Sequence, residues 1–317
     1  MTTIDTLRAP LFISWQLTRN CDLACVHCCT ESAPGKRLPG ELDADEARRL
    51  VREIINAEVP YVMLCGGEPL VVPHFLLIAE MLGNAGVQLK IETNGQRLDA
   101  EIVERLAHWP VRSVQISLDA DSEEVYRRQR PGGSLAKAHA ACRAVQAAGL
   151  PLEVTFAPTR INIDQIDAVI ERARAFAAFR FNTGKLMRIG TAARLWNKLE
   201  PSAEQYQRML EVLRRQQAIE ASMELCYVPF TIEEGLQRSL GEPPATMLVL
   251  PDGRVKVAAA LPHICADLRR QTLMQAWDAY RSAWRVPEVL DEVCRAMDDA
   301  ALHSRANCWK VLTLATA

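Results

Sequence analysis

From about residue 12 to residue 187 the sequence alternates short apolar runs with longer amphipathic ones, and that alternation restricts the chain to an α/β fold on a parallel sheet. The short runs cover residues 12–18, 61–65, 87–92, 112–118, 152–157 and 180–187. Most are rich in Val, Ile, Leu and Phe, as expected of strands buried on both faces. Between them, residues 43–56, 73–86, 99–108, 134–149 and 164–177 repeat apolar residues at helical spacing, and three of these segments end near a glycine. Six βα units in a row predict a partial (β/α)6 TIM-like barrel over residues 1–200, with a doubly wound sheet as the alternative. Residues 201–317 read differently. Residues 201–219 predict a polar-faced helix. Residues 247–250 and 254–258 flank Pro251-Asp252-Gly253 as a β-hairpin, and residues 273–284 and 286–300 read as helices. An α+β appendage is therefore expected there.

The chain has 37 basic and 39 acidic residues, so charge suggests neither a nucleic-acid nor a membrane partner. The apolar stretch at residues 11–15 lies between Arg8 and Arg19 and is too short for a signal sequence or a span. A cytoplasmic location is expected. Ten cysteines are many for that compartment, where disulfides are rare, so ligand spacing is the useful test.

Cys21, Cys25 and Cys28 form a C-x3-C-x2-C pattern directly after the first strand run. Composition alone would give about 0.01 such matches per chain. The pattern lies at the C-terminal end of a strand, where barrel enzymes assemble their sites. Thiolates are the usual ligands of iron–sulfur clusters, which normally take four. Three local thiolates leave one iron open to a chelating ligand. The competing reading is structural zinc, which needs a fourth ligand such as His27 or Cys29.

The second strand run ends in Gly66-Gly67-Glu68-Pro69. Two glycines at a strand end admit a close approach to the backbone. Thr93 and Asn94 close the third run, Ser117 and Asp119 the fourth, and Asn162 follows the fifth. All are small polar groups at one rim, suited to hydroxyls and carboxylates. Taken singly, Asn94-Gly95 is also a turn signal and Asp119 a candidate helix cap. Arg130 is either a carboxylate partner or a solvated surface residue. Cys65 reads as a buried strand residue.

The cysteine pattern, the Gly-Gly-Glu-Pro strand end and the ordered rim motifs together resemble radical S-adenosylmethionine (SAM) enzymes. Residues 184–190 and 193–196 resemble a segment of the peptide-maturase branch, such as those of pyrroloquinoline quinone and mycofactocin assembly. The resemblance implies a [4Fe–4S] cluster on Cys21, Cys25 and Cys28, whose open iron is chelated by SAM. Reductive cleavage of SAM would release a 5′-deoxyadenosyl radical that abstracts hydrogen from a substrate. It further implies SAM contacts at Gly66, Gly67, Glu68, Pro69, Thr93, Asn94, Ser117, Asp119, Arg130 and Asn162, with Met187 near the adenine. His27 falls at the family's aromatic position beside the cluster, and otherwise reads as a solvent-facing loop residue. An electron donor such as flavodoxin or ferredoxin is implied.

That branch usually carries a C-terminal SPASM or twitch domain with auxiliary clusters. Here Ala258, Ala259 and Ala260 stand where a cysteine would follow the hairpin, and only Cys226, Cys265, Cys294 and Cys308 remain. Either the appendage is a degenerate substrate lid, or these four converge on one cluster. Without auxiliary clusters a redox-neutral outcome is favoured, with Cys265 or Cys308 as a hydrogen donor to the substrate radical. The resemblance implies a ribosomally made peptide as substrate. A small metabolite, such as a tetrapyrrole or a natural-product sugar, is the alternative. A reading from a different class is a non-catalytic iron–sulfur sensor or electron carrier, which would have no use for the rim motifs.

Overall fold

The computed structural model describes residues 4–219 and 223–313. Six parallel strands follow one another in sequence and in space: β1 (Phe12–Gln16), β2 (Tyr61–Cys65), β3 (Gln88–Thr93), β4 (Val111–Ser117), β5 (Leu152–Thr155) and β6 (Arg180–Gly184). The helices among them are α1 (Ala44–Asn56), α2 (Phe75–Asn84), α3 (Ala100–Leu106), α4 (Glu123–Gln129), α5 (Leu135–Ala147) and α6 (Ile166–Ala175). Asp43 caps α1 in a reciprocal box with Glu46, so its first turn is satisfied locally. The six predicted βα units are present, and the sixth strand stops at Gly184 rather than at residue 187.

The expectation of strands apolar on both faces needs correction. Ile13, Trp15, Val62, Leu64, Leu89, Ile91, Val114, Ile116, Val154 and Phe181 are wholly buried and join the apolar residues of the helices in one core. The alternate residues form a polar face instead. In the strand register Glu92 lies beside Gln115, Gln115 beside Glu153, and Glu153 beside Arg180. Lys90 pairs with Glu153 at 2.9 Å, and Asn182 donates to Glu153 at 2.8 Å. A side-chain period of two makes this division inevitable once one face meets helices.

Past β6 come α7 (Gly190–Arg194), α8 (Trp196–Leu199), α9 (Ala203–Gln217), β7 (Glu224–Val228), α10 (Ile232–Gly241), β8 (Thr246–Val249), β9 (Arg254–Lys256), β10 (His263–Asp267), α11 (Leu273–Ala283), α12 (Pro287–Asp298) and β11 (Lys310–Val311). These elements extend the same sheet. β7 adds to β6 in parallel, and β8 adds in parallel to the other side of β1, with Phe12 opposite Thr246. β8 and β9 form the predicted hairpin, turning at Gly253 with φ +83°. The helix α11 seats on α1, with Leu273 N donating to Glu53; just before it Arg269 grips Glu46 through two bonds at 2.7 and 2.8 Å, and Trp277 Nε1 donates to Leu7 O in the N-terminal segment. No helix among the described residues is long and apolar enough to cross a membrane.

Candidate active site

The loop after β1 leaves the sheet beside the end of β2, and the two glycines there explain how. Gly67 N donates to Thr18 O at 2.7 Å, and Glu68 N donates to Asn20 O at 3.0 Å. A Cβ at Gly67 would lie 2.1 Å from Asn20 O, and one at Gly66, with φ +135°, would lie 2.7 Å from Thr18 O. The close approach that the sequence suggested for a ligand is thus made by the chain's own backbone, which fixes the root of the cysteine loop.

Glu68 is fully buried and ties that root to β3. It accepts from Thr93 Oγ1 at 2.8 Å, from Asn94 N at 2.8 Å, and from Leu70 N, where it caps the turn that opens at Pro69. Burial pushes its carboxyl up to about 7 against those bonds. Asn94 in turn donates from Nδ2 to Asp22 Oδ1 at 2.7 Å and reaches Cys21 Sγ at 3.6 Å.

A second set of contacts holds Cys25. Arg130 is buried rather than solvated. Its Nε donates to Asp119 Oδ2 at 2.6 Å and its Nη1 to Cys25 Sγ at 3.5 Å. Burial works against the guanidinium charge, but Asp119 and Cys25 outweigh it and raise the group further. Asp119 caps no helix. Its other oxygen accepts from Ala157 N at 2.7 Å and so joins the ends of β4 and β5. Asn162 donates to Asp119 O and Ala157 O and accepts from Thr159 N, so its polar atoms are occupied inside the protein. His27 faces inward, not toward solvent: Nε2 lies 3.3 Å from Asp119 Oδ2, and Nδ1 accepts from Gln129 Nε2 at 3.0 Å. Burial lowers the imidazole to about 4, with Asp119 opposing and Arg130 assisting, so it is neutral.

Cys28 Sγ accepts from Ser32 N at 3.3 Å. Each of the three pattern cysteines therefore has a nitrogen donor within reach of its sulfur, and all ten cysteines are free. Burial pushes Cys21 up to about 12 and Cys25 up to about 11. Among the described residues no three His, Cys, Asp or Glu side chains gather tightly enough for a single metal ion.

The far side of the loop meets the C-terminal part. Gly190, with φ +61°, packs where a Cβ would lie 2.6 Å from Cys28 O, and Asn307 donates to Cys29 O at 2.9 Å. A cavity of about 50 Å³ opens there, lined by Gln16, Cys29, Met187, Leu248, Lys256 and Trp309 among others. Met187 is half exposed at its edge. Ser117 is half-buried at the end of β4. The two expected hydrogen donors do not line the cavity. Cys265 is packed in the apolar core and bonds Val255 O, while Cys308 is exposed at the surface. Cys226 lies on the edge strand β7, at the other end of the strand order from Cys265 on β10, and Cys294 is exposed on α12.

The sequence did not single out Asp22, Gln129, Thr159, Lys256 or Asn307. Lys256 carried a usable signal, a charge between Val255 and Val257 in a strand; the others carried none.

The chain is 37% identical over 206 residues to the mycofactocin maturase MftC of Mycobacterium ulcerans (strain Agy99), covering 63% of this chain and 53% of that protein. It thus spans about half the length of that curated relative. It is 27% identical over 320 residues to an AdoMet-dependent heme synthase of Methanosarcina barkeri (strain Fusaro / DSM 804), covering 92% of this chain and 89% of that one. The fold is shared with Streptococcus suis SuiB bound to S-adenosylmethionine, at a TM-score of 0.72 and 15% identity over 88% of this chain and 68% of that chain. The model of the radical SAM superfamily matches residues 15–173, from within β1 through α6, and the chain belongs to that superfamily.

Proposed function

We propose that this chain cleaves SAM reductively at a [4Fe–4S] cluster on Cys21, Cys25 and Cys28 and abstracts a hydrogen atom from a ribosomally made peptide. The observation that carries the reading is the set of three free thiols on one loop, each with a nitrogen donor at its sulfur. N–H donors at the sulfurs stabilise the thiolate ligands of such a cluster. When bound, the cluster and SAM supply the radical chemistry. The protein's share is holding and shielding. Arg130 brings positive charge to Cys25 and is itself held by Asp119. Asn94 braces Cys21 and Asp22. Because burial keeps Cys21 and Cys25 protonated, loading iron must release their protons, so loading is favoured by higher pH. Ser117 and Met187 are the rim residues with side chains left open to a ligand. Glu68, Thr93, Asp119 and Asn162 act by positioning.

We further read the first six strands as curving into a partial barrel over residues 1–200, with residues 201–317 as a degenerate cluster domain. A cytoplasmic setting and a flavodoxin- or ferredoxin-like donor accompany that reading. The maturase relative supports the peptide substrate. A small tetrapyrrole-like metabolite is the second reading, favoured by the near full-length match to the heme synthase.

The test is anaerobic reconstitution with iron and sulfide, followed by SAM and dithionite. About four irons per chain and 5′-deoxyadenosine are expected, both lost in the Cys21→Ala, Cys25→Ala, Cys28→Ala variant. Bound zinc without SAM cleavage would reject the proposal.

A further inference from the structure

Lys256 differs from the other buried charges of the site. Lys90 is neutralised by Glu153 at 2.9 Å, and Arg130 by Asp119 at 2.6 Å. Lys256 is 2% exposed and donates one bond, to Ala259 O at 2.7 Å. Among the described residues no carboxylate pairs with it. An ammonium carries three donors, and a buried cation without a counter-charge is costly to keep.

The amine borders the cavity beside the cysteine loop, and its companions there divide sharply. Gln16, Cys29, Thr30 and Asn307 are polar, Met187 and Leu248 are apolar, and the buried indole N–H of Trp309 has no partner. Arg19, at the same cavity, is already engaged with Glu31 and Thr30 O. The unfilled demand is for one anion beside an apolar group. A phosphate would favour a free arginine fork, and Arg19 is already held.

We propose that Lys256 anchors a carboxylate of the substrate in this cavity of about 50 Å³, with the adjoining apolar or aromatic portion lying outside it against the half-exposed Met187 at its edge. This rests on reading the cysteine loop as the SAM-cleaving site, whose substrate would enter by this cavity. The carboxylate has two possible sources, a peptide terminus or a propionate-type group on a small metabolite. In both, a fixed amine would orient the substrate against the loop.

The experiment is equilibrium dialysis with the reconstituted holoenzyme, without SAM or reductant, using two acid/neutral pairs. One pair is N-acetyl-L-phenylalanine and its amide; the other is mesoporphyrin IX and its dimethyl ester. The expected result is an acid preference of about tenfold or more in one pair, falling to about one in Lys256→Met and returning in Lys256→Arg. The preferred pair identifies the source. Iron per chain, measured in each variant, separates loss of fold from loss of the anchor. Equal binding of acid and neutral probes, no saturable binding of any probe, or a preference that survives in Lys256→Met would each overturn the proposal. Since no SAM turnover is read, failure here leaves the proposed activity standing, and failure of SAM cleavage leaves the binding result standing.

Discussion

Around Glu68, Asp119 and Asn162 the buried polar side chains answer one another, although Thr155 Oγ1 at the end of β5 has no partner, whereas at β9 a buried amine has a single backbone oxygen. Glu68 accepts three hydrogen bonds, Asp119 holds Arg130 and Ala157, and Asn162 is occupied on both its amide atoms. Lys256 has Ala259 O alone. Both regions border the same cysteine loop. A saturated network is what rigid positioning requires, because a half-satisfied one would be mobile and costly. An unsaturated charge beside a cavity is what recognition requires, because it gains a partner only when a ligand arrives. The family's rim motifs therefore divide into residues that shape the loop and the few left open to a ligand.

The contrast can be broken most forcefully at Arg130. Arg130→Leu would strand Asp119 as a buried charge, and urea unfolding should show a loss of about 3–5 kcal/mol. Iron loading should fall with it, since Cys25 loses its donor. A smaller effect is expected from pH. Glu68 titrates at about 7 in the folded chain and 4.5 when exposed, so between those values the folded state binds the extra proton. Stability should therefore fall as pH rises from 4.5 to 7, by on the order of 3 kcal/mol, and Glu68→Gln should flatten that slope. An effect of the same size is expected at Lys256, which burial lowers from 10.5 to about 8. Here the unfolded chain binds the extra proton between pH 8 and 10.5, so stability should rise over that window. Lys256→Met should abolish the rise and leave stability at pH 7 equal to or above that of wild type, because it removes an unpaired buried charge. A large loss at pH 7 would mean that Lys256 is structural and would erase the contrast.

The βα units were legible because strand and helix periods differ and each unit is long enough to show its own. What escaped was short or polar. The edge strand β7, ELCYV, has no fully buried residue, and α4, EEVYRRQ, buries only Tyr126 and Gln129. The cysteine loop was legible as a spacing, but the roles of its supports were not. Gly66 and Gly67 serve a contact with residues 18–20 that lies 46 or more positions away, and nothing local distinguishes that from a ligand contact. The burial of Arg130 and the pairing of His27 likewise depend on where β4 and β5 end. The hairpin was read correctly as a hairpin, but its docking onto β1 is a long-range event that no window of sequence contains.

That docking sets a timetable for biogenesis. β1 is an interior strand, yet its partner β8 begins only at Thr246. At 5–20 residues per second, a ribosome would leave one side of β1 bare for on the order of ten seconds or more after β2 has emerged. An uncovered strand reading FISWQ is a template for unwanted pairing, so the nascent chain should depend on chaperone cover. The cysteine loop hangs from that same strand, so its root is fixed on both sides only after β8 has been made.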